Sequence, residues 1–580
     1  MEKTWKLSKS LHNKEQNEED NLEKFVSDIR ALNARIEIPE VLLNLLYNRS
    51  INSYPKILKF FRPTLDKLYD PFLMKDCEQA CVRLLQAIED KEKIMILGDY
   101  DVDGTCGVSM FYLFLKKLGL DPLVYIPDRI LEGYGISFPS IDIAHTDGIK
   151  LIVSIDCGIT AFEKIEYAKK HDIEFIICDH HQAPEKIPDA LSVIDPVRKD
   201  CEYPFKHLCG TGVAFKLIQA VCKRLNKPSI PESLLDFVAI ATASDIVSLT
   251  DENRILVSEG LKIINRNPRP SIKKLIENSG LKLGNINTTN IVYTLAPRIN
   301  AVGRLGDAKR AVELLTSEDM DKMDELAGVL EDENKARRDM DKLITDTAYE
   351  IYEDTIREKN TNAIIIHNGD WHAGVIGIVA ARLVEKYNLP SIVLTTVNGV
   401  AKGSARSING FNIYEALKRC EEHLIQFGGH YHAAGLELEL NKIEAFKEKF
   451  SMIAAEIMTE ELKQPELDCD AEINLFEIDD KFERILSFFE PYGPGNACPL
   501  FISKNVEIAG DIREARGNTR LFSLQQRNSK FDAVFFNSES YKSILRRGSY
   551  YDVCYSVDKS RWNGEDRIKL KIKDIKLVQN

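Results

Sequence analysis

Carboxylates and histidines that could hold divalent cations follow three short apolar segments of the sequence. The first, 98–104, reads G-D-Y-D-V-D-G and places three carboxylates within five residues, which electrostatics disfavours unless cations compensate them. Asp156 and the run D-H-H (179–181) each follow another apolar segment, and Asp245 ends the apolar run 236–244. Mixed carboxylate and imidazole ligands suit manganese or magnesium. Two such ions about 3.5–4 Å apart, bridged by a carboxylate, hydrolyse phosphodiester and phosphoanhydride bonds.

The first acidic segment has two competing interpretations. A calcium-binding EF-hand loop shares its first six positions, but Met110 stands where a bidentate Glu belongs, and the preceding segment is predicted as a strand. A solvated acidic turn stays open for this segment taken alone. The neighbouring acids and the adjacent histidines weigh against it, because ligand sites of parallel sheets lie at the carboxyl ends of strands.

The elements that must position these residues alternate between strands and helices from about residue 91 to 250. Helix-length spacers separate most of the apolar runs, and one of them predicts a helix over 107–118. The predicted strands are 93–97, 123–126, 151–155, 175–178 and 191–194. Such alternation favours βαβ units and a largely parallel sheet. We expect residues 1–90 to be mostly helical and to pack against this domain.

The remainder of the chain differs in texture. Residues 318–360 contain no proline and predict one or two long helices that join two lobes, and a second α/β pattern follows. Short β-rich runs from about 502 onward predict a small barrel. The predicted parts are a helical extension (1–90), a catalytic α/β domain (91–317), connecting helices (318–360), a second α/β lobe (361–460), and a linker with a barrel resembling the oligonucleotide-binding (OB) fold (461–580).

Composition bears on the compartment and on the partner. No apolar run reaches the roughly eighteen residues of a membrane helix, and the start of the chain lacks an apolar signal-peptide core. Twelve cysteines without a C-x-x-C pair are typical of a reducing compartment, so we expect a cytoplasmic protein with no membrane partner. The net charge of −13 would argue against nucleic acid, yet residues 502–580 hold 16 Lys and Arg against 10 Asp and Glu. The predicted barrel is therefore basic, as suits a module that holds a nucleic-acid strand.

The order of these motifs resembles the DHH phosphoesterase superfamily, and further segments narrow the resemblance to the RecJ-type exonucleases. Those segments are P-R-I-N-A-V-G-R (297–304), W-H-A-G-V-I-G-I-V-A-A-R (371–382), G-S-A-R-S (403–407), F-G-G-H-Y-H-A-A-G (427–435) and P-Y-G-P-G-N (491–496). RecJ-type exonucleases degrade single-stranded DNA from the 5′ end. The resemblance implies a metal-dependent exodeoxyribonuclease that releases 5′-mononucleotides by a two-metal mechanism, in DNA repair and recombination.

The resemblance also assigns roles to residues at matching positions. The metal ligands would be Asp99, Asp101, Asp103, Asp156, His180 and Asp245, around two Mn²⁺ or Mg²⁺ ions. Asp156 would bridge the ions and form the catalytic set with His180 and His181, while Asp99 would be either a ligand or a support. Small pyrophosphatase-type members begin the first motif with a metal-binding His, where this chain has Leu97 and Gly98. The first ion would then be held more weakly, or by Asp99 or water.

A nuclease must also grip the substrate backbone. Glycine-rich turns bring backbone N–H groups to an anion, and arginine forks match phosphate geometry. The implied substrate-binding residues are Arg129, Arg298, Arg304, Ser404, Arg406, Gly428, Gly429 and His430, with those beyond 400 near the 5′-terminal phosphate. Tyr134 and Trp371 would either stack on a base or belong to the core. The implied partners are single-stranded DNA, a single-strand-binding protein and a helicase.

Two other functions remain open from the sequence. A DHH enzyme of different specificity would act on small nucleotides, oligoribonucleotides or pyrophosphate, but such chains lack the appended barrel and the segment 491–496. A non-catalytic DNA-binding scaffold is the second alternative, and the intact acidic set argues against it.

Overall fold

The computed structural model describes residues 3–8, 23–30, 38–129, 131–356, 362–562 and 565–578. The chain forms two compact units: Trp5–Ala296 with Leu467–Asn580, and a second unit built on Pro297–Glu466. No helix within the described residues is long and apolar enough to cross a membrane.

The chain begins with strand β1 (Thr4–Leu7) and four helices, α1 (23–30), α2 (Glu40–Asn48), α3 (Tyr54–Phe61) and α4 (Cys77–Glu89). Helices predominate over strand here, as expected from the sequence. Helix α4 packs against the predicted catalytic domain. The buried residues of α1 and α2, among them Phe25 and Leu46, instead belong to the hydrophobic core of the C-terminal barrel. The expectation that the whole extension packs on the catalytic domain is therefore wrong for these two helices.

A five-stranded parallel sheet forms the centre of the catalytic domain, with the order β3-β2-β4-β5-β6. Its strands are β2 (Ile94–Gly98), β3 (Leu123–Tyr125), β4 (Leu151–Ile155), β5 (Glu174–Cys178) and β6 (Ser192–Ile194). Strands β2 and β4 are buried along their whole length, as parallel strands covered by helices on both faces should be. Gly98 pairs with Ile155 and Ile155 with Cys178, so the next residues of all three strands leave the sheet at one edge.

Helices cover both faces of this sheet. The helices of this domain are α5 (Val102–Lys117), α6 (Phe138–Thr146), α7 (Phe162–Lys170), α8 (Gly210–Arg224), α9 (Ser229–Glu232), α10 (Leu235–Ser244), α11 (Asp251–Arg266), α12 (Pro270–Asn278) and α13 (Thr288–Asn290), followed by a π-helical turn (Ile291–Leu295). Helix α5 begins at Val102, five residues before the predicted start, because the Asp101 side chain caps it. Apolar residues of α6 and α7 pack against the sheet, and α5, α8 and α10 pack together.

The second unit contains α14 (Ala296–Leu305), α15 (Lys309–Thr316), the single long helix α16 (Met320–Ile351) and a five-stranded sheet of order β10-β11-β9-β8-β7. Its other elements are β7 (Ile364–His367), α17 (Ile376–Tyr387), β8 (Ser391–Val397), β9 (Val400–Arg406), α18 (Ile413–Lys418), β10 (Gln426–Gly429), β11 (Ala433–Glu439) and α19 (Ile443–Ile457). Strands β7 and β8 are parallel, and the remaining pairs are antiparallel. The second α/β pattern of the sequence is thereby confirmed.

The C-terminal strands close into the predicted barrel. The strands of this sheet are β13 (Ala471–Glu472), β14 (Phe501–Ile508), β15 (Arg513–Ala515), β16 (Thr519–Gln526), β17 (Ser529–Phe535), β18 (Tyr550–Trp562) and β19 (Glu565–Leu577), with α20 (Asp480–Ser487) before β14, while β12 (Glu466–Cys469) pairs with β1 in a separate sheet. Pairing runs β14-β18-β19-β17-β16 and returns from β16 to β14, so five strands form a closed ring. The mixed α/β fold with an OB-like barrel is confirmed.

Candidate active site

The acidic segment after β2 lies at two helix N-termini. Asp101 caps α5, and its carboxylate accepts the N–H groups of Asp103 at 2.9 Å and Gly104 at 3.1 Å. The Asp103 carboxylate accepts the N–H groups of Gly210 at 2.6 Å and Thr211 at 2.9 Å, at the start of α8. Helix N-termini favour negative charge, so each helix offsets part of the repulsion within the cluster.

Four chain segments bring their carboxylates and one imidazole together. His180 Nε2 lies 3.1 Å from Asp156 Oδ1, 3.6 Å from Asp245 Oδ2 and 3.8 Å from Asp103 Oδ2. Asp245 reaches this point from the end of α10, a buried helix. Asp156 has a backbone φ of 62°, which turns the chain sharply after β4.

Three overlapping groups of side chains could each hold a cation, because their candidate ligand atoms lie within 4.8 Å of one another. The groups are Asp156 with His180 and His181, Asp103 with His180 and Asp245, and Asp99 with Asp101 and Asp156. Asp156 and His180 each belong to two groups, which is the connectivity that a bridged pair of ions would use.

The chemistry of this donor set fits divalent cations. Asp99 Oδ1 and Asp245 Oδ2 are buried and have no hydrogen-bond partner among the described residues. The pKa values of four carboxyls are raised, those of Asp99, Asp101, Asp156 and Asp245. Burial is the larger cause, and repulsion from neighbouring carboxylates is the second. Oxygen and imidazole donors in this proportion suit Mn²⁺ or Mg²⁺.

His181 is held by a separate set of contacts. Its Nδ1 lies 2.7 Å from Asp179 Oδ1, and that carboxylate also accepts the N–H groups of Ile159, His180 and His181. Burial alone would raise the pKa of Asp179, but the hydrogen bond and charge of His181 and the Ile159 N–H outweigh it and lower the pKa to about 2. Burial opposes the charged form of His181, yet the hydrogen bond to Asp179 and the nearby carboxylates raise its pKa. Asp179 thus stays ionised and fixes one nitrogen of the His181 ring.

Tyr134 and Arg129 lie beside this centre. The Tyr134 hydroxyl donates to the Asp156 carbonyl at 2.7 Å and lies 3.3 Å from His181 Nδ1, and the residue is half exposed. Its exposure shows that Tyr134 is not a core residue, and its stacking on a base stays a prediction. The Arg129 guanidinium lies 5.0 Å from the centre of the Tyr100 ring, and its charge acts on Asp99.

The sequence analysis gave no role to two glycines and one helix start at this site. A β-carbon on Gly104 would stand 2.2 Å from the Asp99 carbonyl oxygen, and one on Gly210 would stand 2.5 Å from Asp156 Cβ. The signal was present as C-G-T-G at 209–212, a glycine-rich start of a helix like those that hold anions. Here the anion that the helix holds is the Asp103 carboxylate.

The predicted phosphate residues of the second unit form their own cluster around the start of α17. Arg406 donates to Ser404 Oγ at 3.1 Å, and a β-carbon on Gly377 would meet both side chains. Arg304 donates to the Gly374 carbonyl at 3.0 Å, which places a third predicted residue beside the same helix start. The first turn of an α-helix favours a phosphate.

The prediction that the two glycine-rich segments form turns is wrong. Segment 403–407 lies mostly in β9, where Ser404 pairs with Val393 on one side and with Gly435 on the other. Gly428 and Gly429 belong to β10 and pair with β11. Both segments read as turns because glycine is rare inside strands. Backbone N–H groups committed to a sheet on both sides cannot grip a phosphate, so in β9 this role would pass to side chains.

Three further predicted residues have different surroundings. Arg298 is 7% exposed and donates to Glu331 at 2.5 Å. His430 is exposed in the β10–β11 turn, where its N–H donates to the Ala433 carbonyl. Trp371 is buried in the hydrophobic core of the second unit, so it belongs to the core and does not stack on a base.

Three family models match successive parts of the chain. The N-terminal domain of the DHH family matches residues 93–242, the DHHA1 domain matches 360–456, and the RecJ OB domain matches 469–574. The arrangement of a carboxylate–histidine centre on a parallel sheet, a second α/β lobe and an OB barrel defines a DHH-type phosphoesterase with an appended nucleic-acid-binding module.

Relatives along nearly the whole chain narrow this class. The single-stranded-DNA-specific exonuclease RecJ of Bacillus subtilis is 36% identical over 550 residues, which cover 94% of this chain and 69% of that protein. RecJ of Salmonella typhimurium is 32% identical and is covered over 96% of its length. The chain belongs to the RecJ family.

Solved structures agree with this assignment. The crystal structure of Thermus thermophilus RecJ in complex with Mn²⁺ matches all of this chain and 80% of that one, with a TM-score of 0.81 and 25% identity. A crystal structure of exonuclease RecJ bound to manganese matches 66% of this chain and 95% of that one, with a TM-score of 0.58 and 31% identity.

Proposed function

We propose that this protein is a metal-dependent exonuclease that hydrolyses single-stranded DNA from the 5′ end and releases 5′-mononucleotides. The observation that carries the proposal is the set of three overlapping groups of possible metal ligands, two with histidine and one of carboxylates alone, which are linked through Asp156 and His180. Membership of the RecJ family supports single-stranded DNA as substrate and DNA repair and recombination as the setting.

The chain's own residues prepare the reaction in distinct ways. When bound, the two divalent cations would neutralise the scissile phosphate and acidify the attacking water. His181 is 37% exposed at its side chain and is fixed through Nδ1, so it is placed to contact the phosphate. The Tyr134 hydroxyl, 3.4 Å from His181 Nε2, limits the rotation of that ring.

Two further surfaces support binding of a strand. A groove of about 480 Å³ on the barrel lies across β16, β17 and β19, and its charged lining consists of four basic residues, Arg513, Lys530, Arg567 and Lys569, and two acidic ones, Asp511 and Asp532. Cationic grooves on this face of OB folds follow a single-stranded backbone. In the second unit, Ser404, Arg406 and the start of α17 would receive the 5′-terminal phosphate. Contacts of five further residues with the strand stay predictions, namely those of Arg298, Arg304, Gly428, Gly429 and His430. The same holds for a single-strand-binding protein and a helicase as partners and for a cytoplasmic location.

The proposal is tested by comparing substrates. A 3′-labelled, 5′-phosphorylated single-stranded DNA should shorten from its 5′ end with Mn²⁺ or Mg²⁺, and the products should be 5′-mononucleotides by chromatography. The matching duplex should be resistant. If RNA dinucleotides or pyrophosphate were hydrolysed much faster, the protein would be a small-nucleotide phosphodiesterase or a pyrophosphatase.

A matched pair of variants separates catalysis from binding. Asp156→Asn should abolish cleavage while DNA binding in EDTA, measured by fluorescence anisotropy, stays within about threefold of wild type. Asp172→Asn makes the same change at an exposed residue with a similar φ, 55° against 62°, and should cleave normally. Full cleavage by Asp156→Asn would refute the two-metal assignment. If the wild-type protein bound DNA but did not cleave it, the protein would be a non-catalytic scaffold.

A further inference from the structure

The segment P-Y-G-P-G-N (491–496) has no role in the function proposed above, yet it lies against the chain that follows Asp245. The Leu249 N–H donates to the Pro494 carbonyl at 2.7 Å. Leu249 itself is 1% exposed. A segment that precedes the barrel in sequence therefore holds the loop 246–250, which leads away from a predicted metal ligand.

Two glycines of the segment make this approach possible. A β-carbon on Gly493 would stand 2.4 Å from Leu249 Cδ1 and 2.9 Å from its Cγ. One on Gly495 would stand 2.3 Å from Ser248 Oγ. Atoms this close overlap, so a side chain at Gly493 would displace the buried Leu249 side chain, and one at Gly495 would displace the Ser248 hydroxyl and strain a backbone with a φ of 71°.

The segment is itself fixed by buried polar contacts. Arg254 is 3% exposed and donates to backbone carbonyls at 2.8–2.9 Å, those of Phe488, Phe489 and Glu490. Asn496 is 1% exposed, donates to the Phe489 and Pro491 carbonyls, and accepts from Arg49. Because Arg254 belongs to α11, which follows the loop, the segment and the loop share one rigid support.

The loop carries backbone strain beside the predicted ligand. Ile246, the residue after Asp245, has a φ of 60°, which is unfavourable for a β-branched side chain. Its side chain is 78% exposed, so burial does not compensate the strain. Strain of this kind persists only where the surrounding structure holds the chain on both sides. On one side the Asp245 N–H donates to the Ala241 carbonyl at the end of α10, and on the other the Leu249 N–H donates to Pro494.

We propose that the P-Y-G-P-G-N segment is a positioning element that fixes the loop 246–250 and thereby directs the Asp245 carboxylate towards His180. The inference rests on the proposed role of Asp245 as a metal ligand. Neither Gly493 nor Gly495 touches the reacting groups, so both act through Leu249 and Ser248. Direct hydrogen-bond partners of metal ligands are typically worth 10- to 100-fold in metal affinity, and we expect a support that acts through the loop to fall at the lower end of this range.

The test measures Mn²⁺ affinity directly, by electron paramagnetic resonance titration of the full-length protein without DNA. Gly493→Ala should weaken Mn²⁺ binding at the affected site by on the order of 10-fold, while the KM for single-stranded DNA at saturating Mn²⁺ stays within about threefold. Gly328→Ala is the matched control, because its β-carbon would meet nothing within 4 Å in α16. Unchanged Mn²⁺ affinity in Gly493→Ala would overturn the proposal.

A compensating substitution makes the test specific for the contact. Shortening Leu249 to Ala removes the two atoms that the new β-carbon would overlap and leaves a distance of 3.5 Å to Leu249 Cβ. The double variant Gly493→Ala/Leu249→Ala should therefore recover Mn²⁺ affinity to within about threefold of Leu249→Ala alone. If the two losses simply add, the effect does not pass through Leu249 and the proposal is refuted. If the wild-type protein had no nuclease activity, the proposed function would be refuted. The comparison of Mn²⁺ affinities among the variants would still be valid.

Discussion

Replacing Asp179 by Asn should separate the orientation of His181 from metal binding. The side chain keeps its size but loses its charge, and its amide can donate to His181 Nδ1, where the carboxylate accepts. Ile159, His180 and His181 present three backbone N–H groups to the carboxylate, and an amide nitrogen cannot accept from them.

The size of the effect follows from the pKa of Asp179. The difference between the ordinary value of 3.8 and about 2 is equivalent to about 2.5 kcal/mol in favour of the ionised folded state. Because this pKa is lowered by folding, the stabilisation is present above about pH 4 and is lost as the pH falls towards 2. At pH 7 the Asn variant should therefore be less stable by about 2.5 kcal/mol. If the whole of this interaction energy stabilises the transition state by holding His181 in place, its loss should lower kcat by on the order of 10²-fold.

The assay compares single-turnover cleavage of 5′-phosphorylated single-stranded DNA in wild type, Asp179→Asn and the surface control Asp172→Asn. The Mn²⁺ concentration that gives half-maximal rate should stay within about threefold of the wild-type value, because the proposed metal ligands are unchanged. Wild-type kcat in Asp179→Asn would refute the argument. A variant that lost cleavage rate and regained it with excess Mn²⁺ would also refute the argument. In that case Asp179 would act by holding His180 in place as a metal ligand.

Three other outcomes are expected. Removing metal with EDTA should lower the melting temperature, and the metal-free protein should become more stable as the pH falls towards the ordinary carboxyl pKa of 3.8, because folding raises the pKa of four clustered carboxyls; a flat pH dependence in thermal scans would contradict this. Lys216→Met should lower the free energy of unfolding by about 3–5 kcal/mol in denaturant titrations, because it leaves the Glu252 carboxylate, fully buried and 2.6 Å from Lys216 Nζ, without its cation. Ile246→Gly should leave the melting temperature equal or higher, since glycine relieves the left-handed backbone, and a clear decrease would show that the side chain stabilises the loop.

Most of the catalytic sheet was predictable from the sequence. Buried parallel strands give continuous apolar runs, and the rule that ligands lie at strand ends placed Asp156 and the D-H-H run correctly at one edge. The contribution of α8 was not predictable, because the N–H groups that hold Asp103 come from Gly210 and Thr211, more than a hundred residues further along the chain. Sequence spacing carries no information on a pairing of that range.

The second unit shows a different limit. Glycines in 403–407 and 428–429 suggested turns, whereas tertiary pairing with β8 and β11 makes these segments strands. Glycine has a low intrinsic preference for strands. Here the hydrogen bonds to the neighbouring strands outweigh that preference. The predicted side chains Ser404 and Arg406 nevertheless come together, because alternate residues of one strand lie on one face of the sheet.

The two strained residues of the site explain why distant segments are needed there. Asp156 and Ile246 both have left-handed backbone, and each is a predicted metal ligand or the neighbour of one. Left-handed backbone and four carboxyls with raised pKa values both disfavour the folded, metal-free site, so the rest of the fold must impose that geometry. For Asp156 the close packing against Gly210 does this, and for Asp245 the contact with 491–496 does. Both supports depend on the absence of a side chain at a glycine, which is why substitutions far from the carboxylates in sequence should weaken metal binding.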